Sequence, residues 1–336
     1  MKTTTEGQPI TAPQRRAARA SRDRMMARAV RLKRVWRYRL HAAVLLPLAG
    51  LLRLLPVEAA ARLGGWLGRE LIPRFDNFNG SLRSVRIAFP DIGDAAARQV
   101  LLGMCENIGM VLGESLHLDA FAGPDNERLH VIGVNHVRAA QALDSGVLFV
   151  SGHFGNWELF EVALATLGLK GAKVLQHAHN PYLVEPVALH RYAFGLDEQI
   201  AQGEGVFVRA RAALRAGRVV QMLCDQRTTK GAKVRFFGLE TTTNLVPARL
   251  ARETGAPIVL MRMKRLGPAR FEIAFQPPRR FEYEDDEVEI MTWINGYFEG
   301  EIRAVPAQWL WSHPRWGDVY SNIAAAPLVT PPEDDQ

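Results

Sequence analysis

The stretch Gly146-Val147-Leu148-Phe149-Val150-Ser151-Gly152-His153-Phe154-Gly155-Asn156-Trp157-Glu158 decides how the chain is read. Val147 to Val150 is a compact apolar run, short enough for a buried strand. Ser151-Gly152 stops it. Apolar and aromatic positions then recur at Phe154, Trp157, Leu159, Phe160, Val162, Ala163 and Leu167, which is helical spacing. The change of period predicts a strand-turn-helix junction. In open α/β sheets the crevice beyond the carboxyl ends of the strands is where ligands bind. The imidazole of this junction, His153, stands in the turn, and the carboxylate of Glu158 follows five residues later.

Outward from that junction, short apolar runs alternate with helical stretches. The expected strands are His130–Gly133, Val147–Val150, Ala172–Gln176, Val219–Cys224, Ile258–Met263 and Phe271–Phe275. Helical segments are expected near His136–Ser145, Glu158–Gly168, Pro181–Gly195, Arg209–Ala216 and Pro247–Gly255. Such alternation predicts an α/β fold, a single sheet flanked by helices. At 336 residues, one catalytic domain with appendages is expected, and 48% hydrophobic residues suffice for a large core. Residues 121–320 are assigned to that α/β domain.

Before it, residues 41–120 read as mostly helical. Residues 57–72 have helical spacing, Arg74 to Ser84 reads as a polar connection, and Asp94 is a suitable N-cap for a helix through Leu116. Ala42-Ala-Val-Leu-Leu-Pro-Leu-Ala-Gly-Leu-Leu-Arg-Leu-Leu55 is apolar for 14 residues and is interrupted by Pro47 and Arg53. A bilayer span needs about 20 residues, so this segment is expected to lie in a membrane interface. A signal peptide with Ala59-Ala60-Ala61 as cleavage site is the competing reading, but the basic leader is too long for one.

The formal net charge of +7 divides unevenly. Residues 1–40 carry 12 Lys and Arg against Glu6 and Asp23; the other 296 carry 30 basic and 33 acidic residues. The basicity therefore belongs to an arm, expected to be disordered over residues 1–23 and helical from Met25. An anionic membrane surface suits it, at about 1 kcal/mol per nearby Lys or Arg, with nucleic acid the rival partner on charge alone. Residues 321–336 read as a loose tail. Cys105 and Cys224 have neither a disulfide framework nor zinc spacing, and a reduced compartment fits them.

The chemistry of the junction has two readings. A histidine that titrates near neutrality is the usual base for a hydroxyl, and a carboxylate on its other nitrogen fixes the tautomer. An i, i+5 spacing would let Glu158 serve that role, with Gly152 and Gly155 leaving the turn open to a substrate. Asn156 and Gly155 are taken as substrate-binding. Free N–H groups at the helix start favour a developing oxyanion. The alternative is a satisfied histidine at a strand end beside a solvent-facing glutamate.

Ser151-Gly-His-Phe-Gly-Asn-Trp-Glu158 resembles the His-x4-acid block of the lysophospholipid acyltransferase superfamily. Its Glu in place of Asp is similar to the branch of bacterial lipid A late acyltransferases, the lauroyl and myristoyl transferases. Asn79-Gly-Ser-Leu-Arg-Ser-Val-Arg-Ile-Ala-Phe-Pro-Asp91 is similar to that branch's upstream segment. Asp225-Gln226, Val234-Arg-Phe-Phe-Gly238, Thr241-Thr-Thr, Pro247-Ala-Arg-Leu-Ala251 and Trp309-Leu-Trp-Ser-His-Pro-Arg-Trp316 resemble its later blocks. The likeness runs from about residue 40 to 320.

The resemblance implies a membrane-associated O-acyltransferase at the cytoplasmic face of the inner membrane. It would carry a fatty acyl chain from acyl carrier protein or coenzyme A to a hydroxyl of a phosphorylated glycolipid such as a lipid A precursor. His153 would be the base and Glu158 its support, with no covalent acyl-enzyme; Ser151 is a turn residue. Arg191 matches an arginine that binds phosphate or polarises the donor, with a solvated helix-face charge as the alternative. Asp225 ends a buried strand at a position suited to substrate binding, with an N-cap or turn role as the alternative. Gln176 stands where the family often has Arg. His177 and His179 alternate on one strand face without implying a metal, which needs three or four ligands. No metal, cofactor or nucleic acid is expected. The closing tryptophans are read as core rather than an interfacial belt. Two other readings remain: an acyltransferase with phosphatidylinositol mannoside or another lysolipid as acceptor, and a non-catalytic membrane- or nucleic-acid-binding protein.

Overall fold

A computed structural model describes residues 36, 38–40, 42–43, 46–75, 78–123, 126–143, 145–175, 182, 194–203 and 205–317. The expectations for residues 1–35, most of the 181–195 helix, Arg191, Gln176, His177, His179 and the 321–336 tail lie outside them. The chain divides into two compact units: residues 1–51 with 178–187, and residues 52–177 with 188–336. In the first, Trp36, Leu40, Leu46, Leu48 and Leu51 are exposed, and Arg39 donates to the Tyr182 hydroxyl at 3.0 Å. All that follows concerns the second.

It begins with helices α1 (Val57–Phe75), α2 (Phe78–Ala88) and α3 (Asp94–Glu114), then a short 3-10 turn (Leu118–Phe121). The alternating part is β1 (Leu129–Ile132), α4 (Val134–Gln141), β2 (Val147–Ser151), α5 (Leu159–Thr166), β3 (Gly171–Leu175), β4 (Glu198–Ala201), α6 (Val206–Arg215) and β5 (Val219–Leu223). A hairpin of β6 (Arg227–Phe236) and β7 (Leu239–Thr243) follows. Then come α7 (Val246–Thr254), β8 (Ile258–Gly267), β9 (Arg270–Phe275) and α8 (Glu287–Ala304). The expected α/β class holds: a seven-stranded sheet in the order β1-β9-β8-β2-β5-β3-β4, flanked by helices. Strands β2, β3, β4, β5 and β8 run parallel; β9 is antiparallel to β8, and β1 is parallel to β9.

β2 is central and wholly buried, so its alternating side chains enter two separate cores. Leu148 and Val150 join a cluster with Leu101 of α3, Leu214 of α6, Leu250 of α7 and Phe298 of α8. Val147 and Phe149 join another with Val137 of α4, Phe160 and Leu164 of α5 and Phe121. That two-faced burial is why β2 reads as a continuous apolar run.

Two sequence expectations need correction. The polar connection at Arg74 to Ser84 is mostly helix, because Leu82 and Val85 supply an inward face to α2 despite the polar residues between them. Asp94 is the first residue of α3 rather than its cap; Gly93 holds the cap position without a side-chain bond, and Asp94 instead pairs with Arg86. α1 packs on α3 through small residues. A Cβ on Gly64 or Gly109 would collide with the backbone of the opposite helix, so only glycine permits this approach. The bulky residues of α1, Leu63, Trp66 and Leu71, are consequently left on the outside. Among the described residues no helix is long and apolar enough to cross a membrane.

Candidate active site

β2 and β5 are hydrogen-bonded neighbours, with Ser151 paired to Leu223, and Cys224 N–H donates to the Ser151 carbonyl at 3.0 Å. Two residues beyond each member of that pair stand His153 and Asp225. Strand register therefore brings level, at the carboxyl edge of the sheet, two residues separated by 72 positions. Asp225 Oδ1 lies 2.7 Å from His153 Nδ1, and its Oδ2 accepts the His153 backbone N–H at 2.8 Å. Trp309 Nε1–H donates to the same Oδ2 at 2.7 Å.

Asp225 is 2% exposed. Burial alone would raise its pKa, but the charge of His153 and the hydrogen bonds from His153 and Trp309 outweigh it and hold the carboxyl at about 2. An ionised carboxylate only accepts, so His153 Nδ1 carries the hydrogen and Nε2 is the ring's basic atom. The Gln226 side-chain nitrogen lies 3.5 Å from Nε2, and Trp157 meets the ring edge-on at 5.4 Å between centroids.

This overturns the expectation that Glu158 orients His153. Glu158 stands at the start of α5, where the helix directs it to Lys173 of β3: Nζ lies 3.1 Å from Glu158 and 2.6 Å from Glu161. The i, i+5 spacing brings Glu158 to the wall of the same cavity, whereas the bond to Nδ1 belongs to Asp225. Asp225 is accordingly a partner of the imidazole, not a group on the cavity wall. Its alternative role as an N-cap does not apply, since the strand hairpin β6–β7, not a helix, follows it.

Asn156 and Gly155 are likewise absent from the wall; they hold the turn. Asn156 is fully buried and donates to Glu114 at 2.9 Å, while its Oδ1 accepts the Glu158 N–H at 3.2 Å. Gly155 has φ +52°, and Met263 would crowd any Cβ there. Its carbonyl accepts from Asn107 at 2.9 Å, and its N–H donates to the Gln308 carbonyl at 3.0 Å. Arg265 of β8 closes this bracket, bonding Asn107 at 2.8 Å and gripping buried Glu114 with both terminal nitrogens. Ser151 donates to the Met261 carbonyl at 2.7 Å, as befits a turn residue.

Glu114, Asn107 and Arg265 carry no motif, and sequence reasoning had no means to find them. The closing block was legible as a block. Trp309, Trp311 and Trp316 are all core, each at most 2% exposed. Trp316 Nε1–H reaches the Phe236 carbonyl at 3.1 Å, and Arg315 donates to Thr243 at 2.9 Å while lying over the Phe236 ring. His313 Nε2 accepts the Arg227 N–H at 2.8 Å. The late blocks thus form one structure around Asp225.

His153 opens onto a cavity of about 1240 Å³. Its wall includes Trp157, Glu158, Lys173, Leu175, Val206, Leu223, Leu245, Val246 and His313, together with Arg227, Lys230 and Arg249. Buried Cys224 also borders it, with a thiol pushed up by burial and by the neighbouring Asp225 charge. Among the described residues no cluster of three or more His, Cys, Asp or Glu could hold a metal.

A mainly parallel sheet thus presents, at the carboxyl edge of its central strands, a carboxylate-bound imidazole beside a wide, partly cationic cavity, the arrangement of an α/β protein with room for a sizeable ligand next to a basic nitrogen. Comparison with known proteins makes the class specific. Residues 26–318 match the family of bacterial lipid A biosynthesis acyltransferases. The chain is 28% identical over 276 residues to the lipid A biosynthesis lauroyltransferase of Escherichia coli, covering 78% of this chain and 86% of that one. It is 26% identical over 275 residues, with the same coverage, to the lipid A biosynthesis palmitoleoyltransferase of that organism. It is also 27% identical over 188 residues to the phosphatidylinositol mannoside acyltransferase of Mycobacterium tuberculosis, covering 55% and 58%. The chain belongs to the bacterial lipid A biosynthesis acyltransferase family, and it is an acyltransferase of groups other than amino-acyl groups.

Proposed function

We propose that the protein transfers a fatty acyl chain from a thioester of acyl carrier protein or coenzyme A to a hydroxyl of a phosphorylated glycolipid of the lipid A type. The observation that carries the reading is the 2.7 Å contact of His153 Nδ1 with ionised Asp225, which leaves Nε2 basic beside the cavity. Nε2 removes the proton of the acceptor hydroxyl as its oxygen attacks the thioester carbonyl. The carbonyl electrons move to oxygen; when the tetrahedral intermediate collapses the C–S bond breaks, and the imidazolium returns its proton to the departing thiolate. Asp225 stabilises the transient imidazolium. No resident cofactor or metal enters these steps.

The cationic side chains Arg227, Lys230 and Arg249 on the wall suit a phosphate, and Trp157, Leu223, Leu245 and Val246 suit an acyl chain. His153→Ala is the test: with melting unchanged, transfer from a lauroyl thioester to a phosphorylated glucosamine lipid is expected to fall at least about 10³-fold. Turnover within a few-fold of wild type would refute the mechanism. The mycobacterial relative keeps a phosphatidylinositol mannoside acceptor as a second reading, which the same assay with that lipid distinguishes.

Membrane docking is part of this reading. α1 turns Ala60, Ala61, Gly64 and Gly68 inward and leaves Leu63, Trp66 and Leu71 exposed near Arg62, while Leu112 of α3 is 65% exposed. An apolar face with basic neighbours fits the cytoplasmic face of an inner membrane carrying anionic lipid. Leu63→Glu/Trp66→Glu is expected to lower co-flotation with anionic vesicles several-fold without changing the melting temperature; undiminished flotation would remove this surface from the proposal.

A further inference from the structure

The link Asp225-Gln226-Arg227 attaches two imidazoles, not one. Asp225 holds the Nδ1 of His153, Gln226 reaches its Nε2 at 3.5 Å, and the Arg227 backbone N–H donates to Nε2 of His313 at 2.8 Å. Both rings border the same cavity. A backbone N–H cannot accept, so Nε2 of His313 must be the bare nitrogen and Nδ1 must carry the hydrogen. Nδ1 has no partner among the described residues. Burial lowers the pKa of His313 against the opposing charge of Asp225, and a ring whose Nε2 accepts the backbone N–H is the neutral Nδ1–H form.

We propose that His313 is a second catalytic imidazole, a neutral electrophile whose Nδ1–H donates to the thioester carbonyl oxygen as it becomes an oxyanion. This rests on the acyl-transfer reading above. The two rings differ by the atom that the protein occupies. His153 has its hydrogen-bearing nitrogen held by a carboxylate, while its lone pair meets only the long 3.5 Å contact with Gln226, which an acceptor hydroxyl can displace. His313 has its lone pair held by a backbone N–H and its hydrogen left over. A neutral imidazole polarising a carbonyl is an established chemical device, and a donor pre-fixed by the backbone loses little in reorganisation. No proton changes owner at His313: the carbonyl oxygen gains a hydrogen bond, and the base cycle stays with His153.

The test compares His313→Met, which removes the donor, with His313→Gln, whose carbonyl can keep the Arg227 bond while its amide supplies a substitute N–H. In the full-length protein with a lauroyl thioester donor, His313→Met is expected to lower kcat about 10²- to 10³-fold with little change in KM. His313→Gln should recover a substantial part of that loss. A purely structural role predicts instead parallel losses of melting temperature in both variants, or a change in KM alone. Unchanged kcat in His313→Met would overturn the proposal. Should the variants fail to fold, ¹⁵N-histidine spectra of the wild type decide: His313 is expected as the Nδ1–H tautomer, and an Nε2–H or doubly protonated ring at pH 7 would refute it. If His153→Ala keeps its activity, the acyl-transfer mechanism fails; if His153→Ala is inactive while His313→Met is not, only the present inference fails.

Discussion

Two carboxylates compete for His153, and the difference between their surroundings decides between them. Glu158 is five residues away in sequence, on the first turn of a helix, and its partner is a lysine. Asp225 is 72 residues away, just past the end of the adjacent strand, and touches the histidine twice. The helix start allows only a few directions for Glu158, whereas parallel pairing of β2 with β5 brings Asp225 level with His153. Closeness along the chain is a poor guide to closeness at a sheet edge. What separates the two acids electrostatically is their company. Asp225 receives three hydrogen bonds, from the backbone N–H and the ring Nδ1–H of His153 and from the Trp309 indole, and remains ionised although buried. Glu158 shares one ammonium with Glu161.

The sharpest way to break this comparison is Asp225→Asn, which keeps the shape and removes the charge that holds Nδ1–H. Acyl transfer is expected to fall about 10³- to 10⁴-fold in kcat. The same variant changes acid stability. The native pKa of about 2 lies below the ordinary carboxyl value, so the stabilisation is present above about pH 4 and disappears as pH falls towards 2. The shift corresponds to about 2 kcal/mol. Melting temperatures between pH 6 and pH 2 should show part of the wild-type decline missing in Asp225→Asn; an identical decline would mean that Asp225 is not perturbed.

The next effect concerns the bracket that carries the turn. Arg265→Met leaves Glu114 buried without its guanidinium and frees Asn107, at a cost of about 3–5 kcal/mol. Thermal or urea unfolding measures it, and a change below about 1 kcal/mol would show that Gly155 and Asn156 are held by other means. The smallest effect separates the two acids themselves. Glu158→Gln removes one charge at Lys173 but none at His153, so kcat is expected to fall less than about tenfold, against thousands for Asp225→Asn. Equal losses in the two variants would return Glu158 to the role of support for the base.

Six of the seven sheet strands were legible, because strands buried on both faces are mostly apolar and the runs at Val147–Val150, Val219–Cys224 and Ile258–Met263 stand out; β4 (Glu198–Ala201) at the sheet edge, with two polar residues among four, was not expected. The hairpin escaped notice, although Val234 and Phe236 alternate with charged residues and Phe237-Gly238 has the two positive φ values of a tight hairpin turn. So did α8, despite Asp286 capping its start with bonds from Val288 N–H and Glu289 N–H and despite inward residues at Ile290, Ile294, Phe298 and Ile302. Those signals were present in the residues. The inverted α1 was harder to foresee, because helices ordinarily bury their large apolar side chains; here a glycine contact with α3 reverses the rule.

What the sequence by itself determined is the family, the α/β class and the place of His153 in the turn after a buried strand, since these rest on local periods and on blocks that survive without coordinates. The tertiary structure alone decided which acid serves that histidine, that Gly155 and Asn156 are scaffold, and that His153 and His313 share one cavity. Each of those is a long-range pairing, fixed by strand register and by the packing of the closing tryptophan block, and no local pattern encodes the distance between residues that meet only after the sheet has formed.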